Sequence, residues 1–186
     1  MGIEIAKALS EQGADVTLVC GPVKLDVPPH IKRIDVVTAS QMLEECENVF
    51  PFTQIFVMSA AVADYKPESA NNQKIKKTDN NLYINLVQNP DILSTLAANK
   101  KSSQFVVGFA LETENHLNNA INKLKKKNLD LIVLNQPGKD TGFSSATNKV
   151  TIIDKKCNIN DLPLMSKKDV AYNIVNQIVS YIHQKI

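Results

Sequence analysis

The chain has 186 residues, of which 44% are hydrophobic and 22% are charged, and its formal net charge at pH 7 is +2. This length and composition fit one soluble domain with a substantial core, and the small net charge gives no reason to expect a nucleic-acid or membrane partner. Three cysteines and three histidines are scattered without a CxxC pair, so neither a zinc site nor a cysteine–histidine nucleophile is supported. Unpaired thiols of this kind are typical of a cytoplasmic protein.

The first stretch predicts a helix followed by a strand. Apolar residues recur with a helical period over residues 3–9, Gly13 provides a stop, and residues 15–20 follow as a strand. A helix that enters such a strand normally follows an earlier strand through a glycine-rich turn. Only Gly2 remains of such a turn, so the chain is expected to begin one strand and one loop late.

The rest of the chain alternates between strands and helices. Strands are predicted at 31–37, 54–58, 82–87, 104–110, 129–134 and 150–153, the last as an added edge strand, and helices at about 38–48, from 89, 114–127 and 166–183. Thr38 or Ser40 can cap the helix at 38–48, and Asn89 is a possible cap for the helix that follows it. The alternation predicts one doubly wound, three-layer α/β domain of the Rossmann type with a mainly parallel sheet.

The stretch after the strand at 54–58 carries the most suggestive chemistry. Its apolar run is typical of a strand buried on both faces, and Ser59, Ala60 and Ala61 then leave the backbone open to a ligand. Asp64 and a lysine cluster that begins at Lys74 follow. Ligands bind beyond the carboxyl ends of strands in open α/β sheets, so this arrangement suggests an anionic ligand. An Asx turn at Asp64 with a solvated basic loop is the alternative.

Other positions add weaker signals. Lys123 and Lys127 lie four apart on one helix face, where they could share a ligand or simply favour the helix dipole. Phe109 ends a strand and could wall a base pocket or pack in the core. The backbone N–H groups after Asn89 could bind a phosphate or serve only in capping.

In chain order, these segments resemble a known family. They are 60–65 (AAVADY), 74–77 (KIKK), 89–92 (NPDI), 107–113 (VGFALET), the lysine pair at 123 and 127, 128–132 (NLDLI) and 142–148, which begins with Gly-Phe and ends with Asn. Together they closely resemble phosphopantothenate–cysteine ligase, the synthetase half of the bacterial bifunctional coenzyme A enzyme. The resemblance runs from Gly2 to the final helix.

The resemblance implies a ligase that uses CTP with Mg²⁺. CTP and phosphopantothenate would form an acyl-cytidylate and pyrophosphate, and the amine of cysteine would then displace CMP to leave an amide. It implies a CTP site formed by Ser59, Ala60, Asp64, Lys74, Pro90, Asp91, Ile92, Leu93, Phe109, Lys123 and Lys127. Lys74 and Asp64 would be catalytic, and Ala60 and Ala61 would border phosphopantothenate. The metal ligands are not indicated. The polar arm at 65–87 would be a flap that joins two subunits into a homodimer.

The sequence departs from that family at its start. The family carries a strand and a glycine-rich loop before the position of Gly2, and a flavin-dependent decarboxylase half, which these 186 residues do not contain. Residues 1–186 are therefore expected to form a single ligase domain truncated at its N-terminus.

Two other functions remain open. One is an NAD(P)-dependent short-chain reductase, with the small residues at 59–61 as its turn and Tyr181 and Lys185 as a Tyr-x-x-x-Lys pair. The other is a non-catalytic nucleotide-binding or dimerisation module.

Overall fold

A computed structural model describes residues 1–69, 73–76, 81–112, 114–136, 138 and 145–183. The helices are α1 (Gly2–Glu11), α2 (Ala39–Val49), α3 (Ile92–Ala98), α4 (His116–Lys126) and α5 (Lys167–His183), with a 3₁₀ turn at Phe50–Phe52. The strands are β1 (Thr17–Cys20), β2 (Lys32–Asp35), β3 (Ile55–Met58), β4 (Tyr65–Pro67), β5 (Leu86–Gln88), β6 (Phe105–Leu111), β7 (Leu131–Asn135), β8 (Thr147–Asn148), β9 (Val150–Asp154), β10 (Ile159–Asp161) and β11 (Met165–Ser166).

A five-stranded sheet in the order β10-β9-β7-β6-β3 forms the centre of the domain. β3, β6 and β7 run parallel, and β9 and β10 extend the sheet in antiparallel orientation. The prediction that residues 150–153 form an edge strand is wrong, because β10 pairs outside β9. Val150, Ile152 and Ile153 are consequently buried, which explains why this run is almost wholly apolar.

Helices cover both faces of this sheet. α1 and α5 pack on one face, where Ile5, Val107 and Ile174 share a core cluster. α2, α3 and α4 pack on the other face, where Val106 and Leu124 belong to a second cluster. Neighbouring β6 residues point to opposite faces, as the period of a strand requires. The predicted three-layer Rossmann-like α/β fold is confirmed.

The β1–β2 pair stands apart from the five-stranded sheet. β1 pairs in parallel with β2, and within the described residues neither strand pairs with β3. A groove of about 510 Å³ lies between β1 and β3 and is lined by apolar side chains from α1 and α2, including Leu9 and Met42. All four β3 side chains are therefore only half-buried, and the prediction of a strand buried on both faces is wrong.

The structure also corrects several details at element ends. Asp91 caps α3, whereas Asn89 was the predicted cap; the side chain of Asn89 instead donates to the Ala63 carbonyl. Thr38 caps α2 and forms a capping box with Gln41. Leu117 is exposed, although the helical period would place it on the same face of α4 as the buried Ala120 and Leu124.

The strand predicted at 82–87 is also shorter than expected. In the part of the chain that the structure describes, only its end is assigned to a strand, as β5, and residues 82–85 lie outside any strand. Within the described residues, no helix is long and apolar enough to span a bilayer.

Candidate functional site

A cavity of about 170 Å³ opens at the carboxyl ends of β3 and β6. It is lined by Met58, Ala60, Val62, Ala63, Asp64, Asn89, Pro90, Asp91, Ile92, Leu93, Phe109, Lys123 and Lys127. Nine of the eleven residues predicted to bind the nucleotide are among these, and the other two are Ser59 and Lys74. The structure thus brings together residues from four separate parts of the chain, at the sheet edge where α/β proteins bind ligands.

The charged groups of the cavity are two carboxylates and two ammonium groups. Asp64 and Asp91 supply the carboxylates, and the ammonium groups come from Lys123 near the end of α4 and from Lys127, its C-cap residue. Lys127 Nζ donates to Asp91 Oδ2 at 2.6 Å. The cavity therefore contains a preformed ion pair at one wall and a second cation one helical turn away.

Asp91 uses both of its carboxylate oxygens. Oδ1 accepts the backbone N–H of Ser94 at 3.0 Å and so caps α3, while Oδ2 accepts from Lys127. Partial burial alone would raise the pKa of Asp91, but the hydrogen bonds from Lys127 and Ser94 outweigh it and hold the pKa below its usual value. The carboxylate is therefore ionised at neutral pH and its charge is directed at Lys127.

Asn89 connects two walls of the cavity. Its side-chain Nδ2 donates to the Ala63 carbonyl at 2.9 Å, and its backbone N–H donates to the Asp64 carbonyl at 2.8 Å. From the sequence, Asn89 was interpreted only as a cap or as the start of an anion-binding turn, and this role was missed. The sequence carried no local signal for this role, because Asn-Pro is also the ordinary pattern of a helix cap followed by proline at the first helical position.

The predicted ligand-binding residues that follow β3 are divided between the cavity and the groove. Ser59 lines the groove, and Met58 and Ala60 line both the groove and the cavity, so the two spaces meet there. A Cβ on Gly2 would lie 2.6 Å from Ser59 Oγ, so the start of α1 approaches this turn closely. Ala61 is exposed and belongs to neither lining.

Lys74 lies outside the cavity lining and is exposed, as are its described neighbours in the arm. Its predicted roles in CTP binding and catalysis therefore remain predictions. Several positions named in the sequence motifs lie outside the described residues: Lys77, Thr113, Gly142, Phe143 and Lys185.

The described residues contain no group of three or more acidic, histidine or cysteine side chains that could hold a metal ion. Asp64 and Asp91 are the carboxylates of the cavity. This donor set fits Mg²⁺, which usually binds one or two carboxylates together with substrate phosphates.

The Tyr-x-x-x-Lys alternative receives no support from the environment of Tyr181. Its ring packs against Phe105, with centroids 5.5 Å apart, and Phe105 begins β6 at the end opposite to the cavity. Burial is the largest cause of a raised pKa at Tyr181. A catalytic tyrosine of a reductase needs the opposite shift.

The fold and the cavity define a Rossmann-like α/β domain with a ligand site at the carboxyl edge of its sheet. The family described as "DNA/pantothenate metabolism flavoprotein C-terminal domain" matches residues 1–182. The chain belongs to this family, and the resemblance found in the motifs is confirmed.

Three similar proteins illustrate the relationship. The coenzyme A biosynthesis bifunctional protein CoaBC of Vibrio cholerae is 42% identical over 181 residues, which cover 96% of this chain and 45% of that protein. A protein of an unknown prokaryotic organism, described as cysteine/cysteine sulfinic acid decarboxylase, is 44% identical over 187 residues, covering 98% of this chain and 52% of that protein. A crystal structure of the C-terminal domain of CoaBC superimposes with a TM-score of 0.83 at 34% identity, covering 98% of this chain and 82% of that one. The chain thus spans about half the length of the two full-length relatives.

Proposed function

We propose that this domain is a ligase that joins 4'-phosphopantothenate to L-cysteine with CTP as co-substrate, a step of coenzyme A biosynthesis. One observation carries the proposal: residues from four separate segments, including two lysines, line a single cavity at the ligand-binding edge of the sheet. The membership of the family and the CoaBC names of similar proteins support the same assignment.

The chemistry would proceed in two steps. A carboxylate oxygen of phosphopantothenate attacks the α-phosphorus of CTP, which forms an acyl-cytidylate and releases pyrophosphate. The amine nitrogen of cysteine then attacks the acyl carbon, which forms the amide and releases CMP and a proton. The first step brings two anions together, and the ammonium groups of Lys123 and Lys127 would neutralise the triphosphate. We retain Asp64 and Lys74 as candidate catalytic residues.

Mg²⁺ would accompany the triphosphate and neutralise part of its charge. Asp64 and Asp91, the carboxylates of the cavity lining, would share such an ion with the phosphates. Phosphopantothenate would lie beside Ala60 and Ala61, near the point where the cavity and the groove meet.

The assembly would be a homodimer in the cytoplasm. Six apolar side chains between residues 65 and 87 are more than half exposed: Tyr65, Ile75, Leu82, Tyr83, Ile84 and Leu86. Such an exposed set is typical of a protein–protein contact. The three cysteines are all unpaired, which is consistent with a reducing compartment.

Pyrophosphate release tests the proposal directly. We expect release when CTP, Mg²⁺ and phosphopantothenate are supplied without cysteine, and less with ATP in place of CTP. CTP binding without any release would instead support a non-catalytic nucleotide-binding module, which the open groove beside Ala60 favours as the second candidate. Consumption of NADPH would support the reductase alternative.

Lysine variants refine this test. Lys123→Ala and Lys127→Ala should each weaken CTP binding by about tenfold, as expected for a lost charge-assisted hydrogen bond, and weaken CMP binding less. The matched control is Lys126→Ala, because Lys126 lies on the same helix but is exposed and outside the cavity lining. A control variant as damaging as the other two would show that the cavity is not the phosphate site.

A further inference from the structure

Asp91 links two elements inside the cavity. One carboxylate oxygen accepts from Ser94 at the start of α3, and the other accepts from Lys127 Nζ, just after the last residue of α4. The side chain of Lys127 is 17% exposed and that of Asp91 is 51% exposed. Lys127 thus has the more enclosed side chain, and the bond to Asp91 fixes where its ammonium group lies.

The geometry gives Asp91 two opposite effects on an anionic ligand. Its negative charge faces the cavity and repels an anion. However, an ammonium group has three N–H donors, so Lys127 can keep its bond to Asp91 and offer its remaining donors to a ligand. A lysine side chain held in one orientation loses less conformational entropy when a ligand binds. The net effect depends on which contribution is larger.

We propose that Asp91 is a positioning residue, which holds Lys127 ready for the polyphosphate of the ligand and strengthens anion binding in spite of its own charge. The proposal rests on the proposed function in that the ligand carries a polyphosphate. Lys123 provides an internal comparison, because among the described residues no ion pair is found for it. Its contribution should not depend on Asp91.

A double-mutant cycle tests this role. The dissociation constants of inorganic tripolyphosphate and CTP are measured by calorimetry for the wild type, Asp91→Asn, Lys127→Ala and the double variant. The introduced asparagine side chain retains an oxygen that can cap α3. Asp91→Asn should weaken binding by about threefold to tenfold when Lys127 is present, the range for a partly exposed ion pair. In the Lys127→Ala background the same change should tighten binding, because it then only removes a repelling charge.

The direction in which Asp91→Asn changes the dissociation constants decides between these roles of Asp91. If Asp91→Asn tightens binding in both backgrounds, Asp91 is merely a repelling charge and the proposal is overturned. If it weakens binding equally in both, Asp91 acts independently of Lys127, through the cap of α3 or through a bound Mg²⁺, and the proposal is again overturned. In the Lys123→Ala background, Asp91→Asn should still weaken binding. Asp91→Ser, which also retains a capping oxygen, is the second variant if Asp91→Asn folds poorly.

A measurement without ligand separates this proposal from the proposed function. Acylation of lysines by an N-hydroxysuccinimide ester, followed by mass spectrometry, gives the reaction rates of Lys127 and Lys123. Asp91→Asn should raise the rate at Lys127 severalfold relative to Lys123, and an unchanged ratio would overturn the positioning role. Tripolyphosphate binding without pyrophosphate release would overturn only the proposed function. Binding of neither tripolyphosphate nor CTP would overturn both.

Discussion

Asp130 shows how this domain accommodates a buried charge. Its Oδ2 atom accepts from Lys100 Nζ at 2.7 Å and from the backbone N–H of Val106 at 2.9 Å. The side chains of Lys100 and Asp130 are 8% and 5% exposed. Asp130, just before β7, thus binds both the start of β6 and the connection that precedes it, at the end of the sheet opposite to the cavity.

Asp130→Ala should therefore destabilise the domain by about 3–5 kcal/mol, because it leaves the ammonium group of Lys100 enclosed and unpaired. Urea unfolding measures the loss. Lys155→Ala is the control, since Lys155 Nζ lies 3.9 Å from Asp130 Oδ1 and its side chain is 56% exposed. That variant should lower the free energy of unfolding by less than about 1 kcal/mol. Equal losses would show that exposure does not distinguish the two pairs.

Single residues of the site could be predicted where the fold places them at a strand or helix end. Asp64, Phe109 and Lys127 line one cavity because parallel strands and the helices between them end at common edges. The partners of these residues could not be predicted. Asp91 and Lys127 are 36 residues apart, and Asn89 reaches Ala63 across 26, so neither contact has a local sequence signal.

Among the elements, the helical period of α5 predicted its bounds better than the alternating pattern at 82–87 predicted a strand. α5 agrees with the prediction closely, and Val170, Ile174 and Ile178 of its apolar stripe are fully buried. In contrast, alternation over residues 82–87 predicted a strand of which only the end pairs. A strand depends on a neighbour for its hydrogen bonds, and the sequence of one segment does not specify that neighbour.

The groove between β1 and β3 leaves a position open in the sheet. Both strands have backbone edges there that are unpaired within the described residues, and the side chains of β3 are only half-buried. An extended apolar segment supplied at this position should pair there as a parallel strand. Its backbone would pair with both edges, and its side chains would cover apolar surface on α1 and α2.

An N-terminal extension tests this idea. A strand of about five valine and isoleucine residues, joined before Met1 by a glycine-containing loop, should raise the melting temperature and the pyrophosphate release. The control extension has the same length but carries two prolines in the strand, which remove hydrogen-bond donors. A similar rise with both extensions would mean that the segment does not pair as a strand.

At the scale of the whole molecule, the exposed arm should determine the oligomeric state. Tyr83 is 85% exposed, and Ile84 is 60% exposed, which is costly for a monomer in water. Light scattering should give twice the chain mass of 20.5 kDa for the wild type. Tyr83→Glu together with Ile84→Glu should give the monomer mass, because dimer formation would bury these charges.

The matched control is Leu25→Glu, at an apolar side chain that is 60% exposed but lies outside the arm. This variant should remain dimeric. A monomeric wild type, or a dimer unaffected by the two arm substitutions, would contradict the assignment of the arm as the interface.

The layered architecture could be predicted from the alternation of elements, because strands joined by helices form parallel sheets that are covered on both faces. The groove between β1 and β3 was not predicted. The groove depends on how α1, α2, β1 and β3 pack around it, which only the structure shows.

The β1–β2 pair, which is separate from the five-stranded sheet, should open more easily than the rest of the domain. This pair is attached to the rest mainly through α2, which packs against β1, whereas β6 and β7 pair on both edges. Amide hydrogens in β1 and β2 should therefore exchange with solvent through a local opening, and those in β6 and β7 only through global unfolding. We expect Phe109 of β6 and Lys123 of α4 to belong to the persistent part, because α4 packs against β6 and β7. The cavity can therefore keep its shape while the β1–β2 pair opens and closes beside it.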